Sequence, residues 1–228
     1  MNKLKVILAA SCALMLASIG AVQADSSHFA GPYVGISGSG YGMQLSGSSN
    51  AGVGEPEENV SLGQVAPITG IEVGYVLPVG SSFLVDVGAS YFQGAASLEY
   101  HHDSVKNGTD AMTPKQNISF TIDDLVSYYV APTLVLSDTS SLYVKVGLTE
   151  ADIGVTGDIT SPSNLSGTTW AMGTRTVLDS GIFIKTEAGY TDYNGISAHG
   201  KGTSVNSVNS YSAEPTVAFG TVSLGFRF

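Results

Sequence analysis

The sequence predicts an all-β protein, a single eight-stranded antiparallel, up-and-down transmembrane β-barrel. Three observations carry that expectation. Apolar and polar residues alternate in segment after segment, which is the period of an extended strand and not of a helix. Eight such segments are joined by long polar connections that alternate with turns of a few residues. The last segment shows the pattern most plainly. Ala218, Gly220, Val222, Leu224, Phe226 and Phe228 share one face, and Thr221, Ser223, Gly225 and Arg227 share the other. A wall that is apolar on one side suits a sheet with lipid outside and a narrow polar interior. Backbone groups cannot stay unpaired in lipid, so such a sheet must close on itself.

The chain of 228 residues opens with Lys3 and Lys5, then an apolar run, Val6 to Val22, then Val22-Gln23-Ala24. This reads as a secretory signal peptide, residues 1–24, cut after Ala24. Residues 25–228 then form one outer-membrane β-barrel domain. The run is short for a spanning helix and ends without a basic flank. Cys12 reads as an ordinary residue of that run. The rest of the chain has no cysteine, which excludes disulfides and thiol chemistry. The formal charge is -10, and -12 without Lys3 and Lys5, which argues against nucleic acid as a partner. No other apolar run is long enough for a transmembrane helix.

The strands follow in order. After a short leader, Asp25 to Gly31, the first runs from Pro32 to about Leu45. Val34 and Ile36 face one way and Tyr33, Ser37, Ser39 and Tyr41 the other. Gly35, Gly38, Gly40 and Gly42 open no helix, so they are not a phosphate loop. They fit a crowded barrel interior. Residues 46–64 form an acidic loop. The second strand, about 65–77, sets Ile71, Val73, Tyr75 and Leu77 against Glu72, Gly74 and Val76. A turn at Pro78 to Ser81 leads to the third, 82–97, with Phe83, Val85, Val87, Ala89 and Tyr91 against Leu84, Asp86, Gly88 and Ser90. Residues 98–117 form the second long loop.

The fourth strand, about 118–136, sets Val126, Tyr128, Val130 and Leu134 against Ser127, Tyr129, Ala131 and Thr133. Asp138-Thr139-Ser140 is a turn. In the fifth, about 141–150, Leu142, Val144, Val146 and Leu148 oppose Tyr143, Lys145, Gly147 and Thr149. A third loop, 151–167, precedes the sixth strand, 168–178, with Trp170 and Met172 against Gly173 and Arg175. Asp179-Ser180-Gly181 turns into the seventh, about 182–194, where Ile182, Ile184, Ala188 and Tyr190 oppose Lys185, Glu187 and Gly189. The fourth loop, 195–213, leads to the closing strand. Up-and-down pairing puts all long loops at one end.

Charge sorts by face. Glu72, Asp86, Lys145, Arg175, Lys185, Glu187 and Arg227 all have the interior parity. An eight-stranded barrel is only wide enough to be filled by side chains. These seven therefore form an ion-pair network that plugs the lumen. The outward aromatics sort by height, with Phe83, Phe226 and Phe228 near the short turns and Tyr91, Trp170 and Tyr190 near the long loops. Two girdles at the membrane interfaces are expected of such a barrel.

The signal peptide, the opening Gly31-Pro32-Tyr33-Val34-Gly35, the eight alternating segments and the closing Val222-Ser223-Leu224-Gly225-Phe226-Arg227-Phe228 together resemble the small eight-stranded outer-membrane barrels of Gram-negative bacteria, the OmpA-type and opacity-protein-like group. The resemblance implies a place in the bacterial outer membrane, in contact with its lipid. It also implies partners in periplasmic chaperones and the barrel-insertion machinery. In that group the terminal strand is an assembly signal, a role that falls here on Leu224, Phe226 and Phe228.

Chemistry is weakly signalled. His101-His102-Asp103-Ser104 resembles the His-x-Ser of lipid A deacylases and the Asp-Ser pair of lipid A palmitoyltransferases. Here Val105 and Lys106 follow, and the motif sits in a polar loop away from the lipid-facing position such an acylase needs. Asp123-Asp124 resembles the acidic pairs of outer-membrane proteases, without their Asp-x-His partner. No catalytic, cofactor or metal site is expected. Glu55, Glu57, Glu58, Asp103, Asp110, Asp152, Asp158 and Glu214 give the loop end an acidic surface that suits cations or basic partners. The sequence thus predicts a monomeric barrel with a plugged lumen and a structural or adhesion-type surface role. The alternatives are a narrow solute or ion channel and a lipid A-modifying enzyme.

Overall fold

A computed structural model describes residues 26–50, 58–94, 96–101, 117–156, 164–178, 180–199 and 210–228. The signal peptide expected over 1–24 lies outside them. The elements are β1 (Gly31–Asn50), β2 (Glu58–Pro78), β3 (Phe83–Gln93), β4 (Ala96–His101), β5 (Asn117–Val135), β6 (Ser140–Thr156), β7 (Leu165–Val177), β8 (Ile182–Tyr193), β9 (Ile196–His199) and β10 (Ser210–Arg227), preceded by one 3₁₀ turn, Ser26–His28.

β4 continues the line of β3 past a break at Gly94, where φ is +140°, and pairs with the same partner, β5. β9 likewise continues β8 along β10. Each continued line is one stave, which makes eight. Every pairing is antiparallel, and neighbours in sequence are neighbours in space. β1 pairs with β10 from Tyr33↔Arg227 to Asn50↔Ser210, and this ladder closes the barrel. The short turns are hydrogen-bonded: the amides of Val79, Leu136 and Leu178 donate to the carbonyls of Phe83, Ser140 and Ile182 at 2.9, 2.8 and 2.7 Å.

The strands keep the facing expected from their parity. Ile71, Val73, Tyr75 and Leu77 are exposed while Glu72 and Val76 are buried. Two expectations need correction. Several strands are longer than their apolar segments, because β1 runs on to Asn50, β2 starts at Glu58, β6 reaches Thr156 and β10 starts at Ser210. These tips are rich in Ser, Gly and Asn and read as loop by composition. Ladder bonds to the neighbouring stave override that weak local preference. Gly38 and Gly40, expected in a crowded interior, point outward into open space, with nothing within 4 Å of a Cβ built on either. They share the parity of Ile36, so the crowded glycines are the inward ones.

The interior is layered. Next to the short turns, Phe29, Tyr33, Val76, Leu84, Val135, Val177 and Phe183 form an apolar floor. Charged residues fill the middle. Nearer the loop end a larger apolar cluster, including Tyr41, Met43, Leu45, Ile68, Phe92, Leu125, Tyr193 and Phe219, fills the barrel.

Candidate functional site

The middle layer is built by inward positions on seven of the staves. Lys185 on β8 donates to Glu72 on β2 at 2.7 Å, across the lumen. Arg175 on β7 donates to Asp86 on β3 at 2.5 Å, also across it. Lys145 on β6 pairs with Glu187 on β8, skipping β7. All six side chains are nearly excluded from water. Each pair joins staves that share no ladder, and removing one partner would leave a buried charge unpaired.

Three tyrosines complete the layer. The Tyr33 hydroxyl donates to the Asp86 carboxylate at 2.9 Å and lies 2.6 Å from the Tyr129 hydroxyl. Tyr33 spends its one proton on the carboxylate, so Tyr129 must donate to Tyr33. Tyr143 donates to Glu187 at 3.0 Å. The Lys185 ammonium sits 5.5–5.6 Å from the ring centres of Tyr33, Tyr129 and Tyr143. The Arg175 guanidinium lies 4.6 Å from that of Tyr33 and 5.0 Å from that of Phe183. Such contacts favour a cation most where water is excluded. The rings fit because glycine faces them. A Cβ on Gly173 would lie 2.5 Å from the Tyr143 hydroxyl, and one on Gly74 would lie 2.5 Å from that of Tyr33.

Above the ion pairs, a chain of hydroxyls crosses four staves. Ser127 and Thr149 are 2.8 Å apart, Thr149 and Thr169 2.5 Å, and Thr169 and Thr191 2.8 Å. On the opposite wall Ser39 and Thr221 are 2.7 Å apart. The Ser37 and Ser90 hydroxyls and one oxygen of Glu72 are buried without a hydrogen-bond partner among the described residues.

Six of the seven residues expected in the lumen network meet in these three pairs. Arg227, the expected seventh, is placed apart. It sits near the end of β10 at the short-turn mouth, too low to reach the pairs, and donates to the carbonyls of Ser27 and Ala30 at 3.2 and 2.9 Å. The tyrosines were not singled out, although they share the parity of the charges they touch. Phe226 and Phe228 pack edge to face, with ring centres 5.3 Å apart, on the outer surface with Leu224.

The loop end is acidic. Asp123 and Asp152 face each other in the β5–β6 ladder, beside a bulge where Asp124 takes φ +48° and accepts a 2.5 Å bond from Tyr91. Glu150 and Glu214 are exposed there, and Asp192 is half-buried. His101 ends β4. His102, Ser104 and the loop acids Glu55, Glu57, Asp103, Asp110 and Asp158 lie outside the described residues. Glu58 begins β2. Among the described residues, no group of three His, Cys, Asp or Glu side chains could hold a metal ion.

Comparison with known proteins agrees with this architecture. The family described as outer membrane protein beta-barrel domain matches residues 9–226. Among solved structures, the outer membrane protein OprG of Pseudomonas aeruginosa is 13% identical, with a TM-score of 0.53 over 91% of this chain and 100% of that one. Ail, the attachment invasion locus protein of Yersinia pestis, is 13% identical, with a TM-score of 0.38 over 85% and 99%. The outer membrane protease OmpT of Escherichia coli is 9% identical, with a TM-score of 0.46 over 86% and 97%. No curated protein matches the chain. At 13% identity the likeness to OprG shows the fold alone. The closed eight-stave barrel and the match over nearly the whole sequence together make this chain a member of the outer-membrane β-barrel protein family, resident in the bacterial outer membrane.

Proposed function

We propose that the chain is a non-enzymatic, monomeric surface protein with a plugged lumen, whose acidic loop end meets a cationic partner in an adhesion-type role. The observation that carries this reading is the sorting of charge. All four described bases, Lys145, Arg175, Lys185 and Arg227, lie in the lumen or at the periplasmic mouth. Asp123, Asp124, Glu150, Asp152, Asp192 and Glu214 stand at the loop end with no described base among them. The loop end as a whole is acidic on balance, since its long loops add Lys106, Lys115 and Lys201 to a larger number of acids, and a net-acidic field steers encounter with an oppositely charged surface. The test is binding of the refolded barrel in lipid vesicles to an immobilised basic peptide. Association should slow steeply as salt rises, and slow again in Glu150→Gln/Asp152→Asn/Glu214→Gln. Unchanged binding in that variant would overturn the reading.

The second reading is a narrow channel. The unpartnered Ser37, Ser90 and Glu72 oxygens favour it, because buried polar atoms of that kind suit a hydrated path. Single-channel recording in a planar bilayer separates the two. The plugged barrel shows no steady conductance. An open state that shifts on Arg175→Ala or Lys185→Ala would put the channel first.

A further inference from the structure

The segment ahead of β1 crosses the mouth that the short turns surround, and it is held on three sides. The Ser26 amide donates to the Ser81 carbonyl at 3.1 Å, and the Ser26 hydroxyl to that of Gly80 at 2.8 Å, both in the β2–β3 turn. His28 Nδ1 lies 3.2 Å from the Asp138 carbonyl in the β5–β6 turn. Arg227 of β10 holds the carbonyls of Ser27 and Ala30. Between these anchors Phe29 is driven into the apolar floor, where it is 1% exposed. Gly31 makes the reversal that allows this. Its φ is +119°, and a Cβ there would lie 3.0 Å from the Phe228 carbonyl oxygen. Side-chain-bearing residues rarely adopt that backbone, and glycine does so freely.

We propose that Ser26 to Ala30 is an intramolecular stopper that seals the periplasmic mouth, with Phe29 as its bung. This seal is separate from the ion pairs above it. No strand ladder holds the segment, so it can leave without unpairing any stave. While it is seated, the floor around Leu84 and Val135 is closed to water. When it leaves, water reaches the floor and then Arg175 and Asp86. The anchors also fix when it seats: Arg227 takes its position only once β10 has paired with β1, so the mouth is stopped after the barrel has closed.

Thiol accessibility tests this. The chain's single cysteine is Cys12. Outer-membrane fragments carry the processed chain, which loses Cys12 with the signal peptide, with one probe, Leu84→Cys or Val135→Cys, both at positions 0% exposed. A membrane-impermeant thiol reagent should label the parent slowly. Phe29→Ala should speed labelling of both probes about a hundredfold, since labelling follows the open population. Phe29→Leu, which keeps most of the apolar bulk, should stay near the parent. Gly31→Ala, which strains the reversal and keeps Phe29, should label fast. Heat-modifiable gel mobility reports the closed barrel in each. A folded Phe29→Ala barrel that labels no faster than the parent overturns the proposal. So does rapid labelling in the parent. Loss of the barrel in Phe29→Ala also overturns it, because Phe29 would then be barrel core and no separable stopper.

Discussion

Lys185 is enclosed by three tyrosine rings and touches one carboxylate oxygen, so its charge depends on Glu72. Lys185→Met would leave that carboxylate buried and unpaired, at a cost of roughly 3–5 kcal/mol. Glu72→Leu/Lys185→Met removes both charges and should cost less than the single change. Urea unfolding of vesicle-inserted protein measures both, and equal losses would show that the pair is not coupled. Glycines test the same interior in steric terms. Gly173→Ala pushes a Cβ into the Thr186 carbonyl and the Tyr143 ring and should cost about 1–3 kcal/mol, while Gly38→Ala, in open space on the lipid side, should be neutral or slightly stabilising. At this scale the parity of the sequence assigns each charge to the interior, because alternation depends only on the chain's own geometry. It does not assign partners. Which base meets which acid across the lumen depends on the stagger and curvature of eight staves, and no local pattern encodes that.

Among the elements, β10 does two jobs with its two faces. Its inward face carries Arg227 to the mouth, and its outward face ends in Phe226 and exposed Phe228. Phe228 touches little besides Phe226, so Phe228→Ala should change the stability of protein refolded into vesicles by less than about 1 kcal/mol. If the terminal aromatic is an assembly signal, the same change should sharply lower the folded barrel recovered from outer membranes in cells. Equal losses in both measurements would assign Phe228 to stability alone. The strand cores were legible because period-two apolar runs are long and regular. The tips at 46–50 and 210–213 were not, since Ser, Gly and Asn carry no facing signal and only the ladder partners make them strand. Phe29 was hidden for a related reason: one aromatic in a leader has no period, and its burial comes from floor residues of several staves that only the closed barrel brings together.

At the scale of the whole molecule, strand length sets reach. β1 has 20 residues, which at about 3.3 Å each and a tilt near 40° gives a wall roughly 50 Å tall. The lipid-facing band of such barrels is only about 25 Å. About half the wall therefore lies outside the apolar band, and the apolar cluster of Tyr41, Phe92, Phe219 and their neighbours stiffens the loop-side part. The carboxylates are thus carried on a rigid tower above the apolar band, with Glu214, paired with Ser46, four residues below the tip of β1. A partner docked there is held off the apolar band by the height of that tower. Whether it can dock at all then depends on the thickness of whatever coats the cell: a thinner coat leaves the tower's top in the open, and a thicker one buries it.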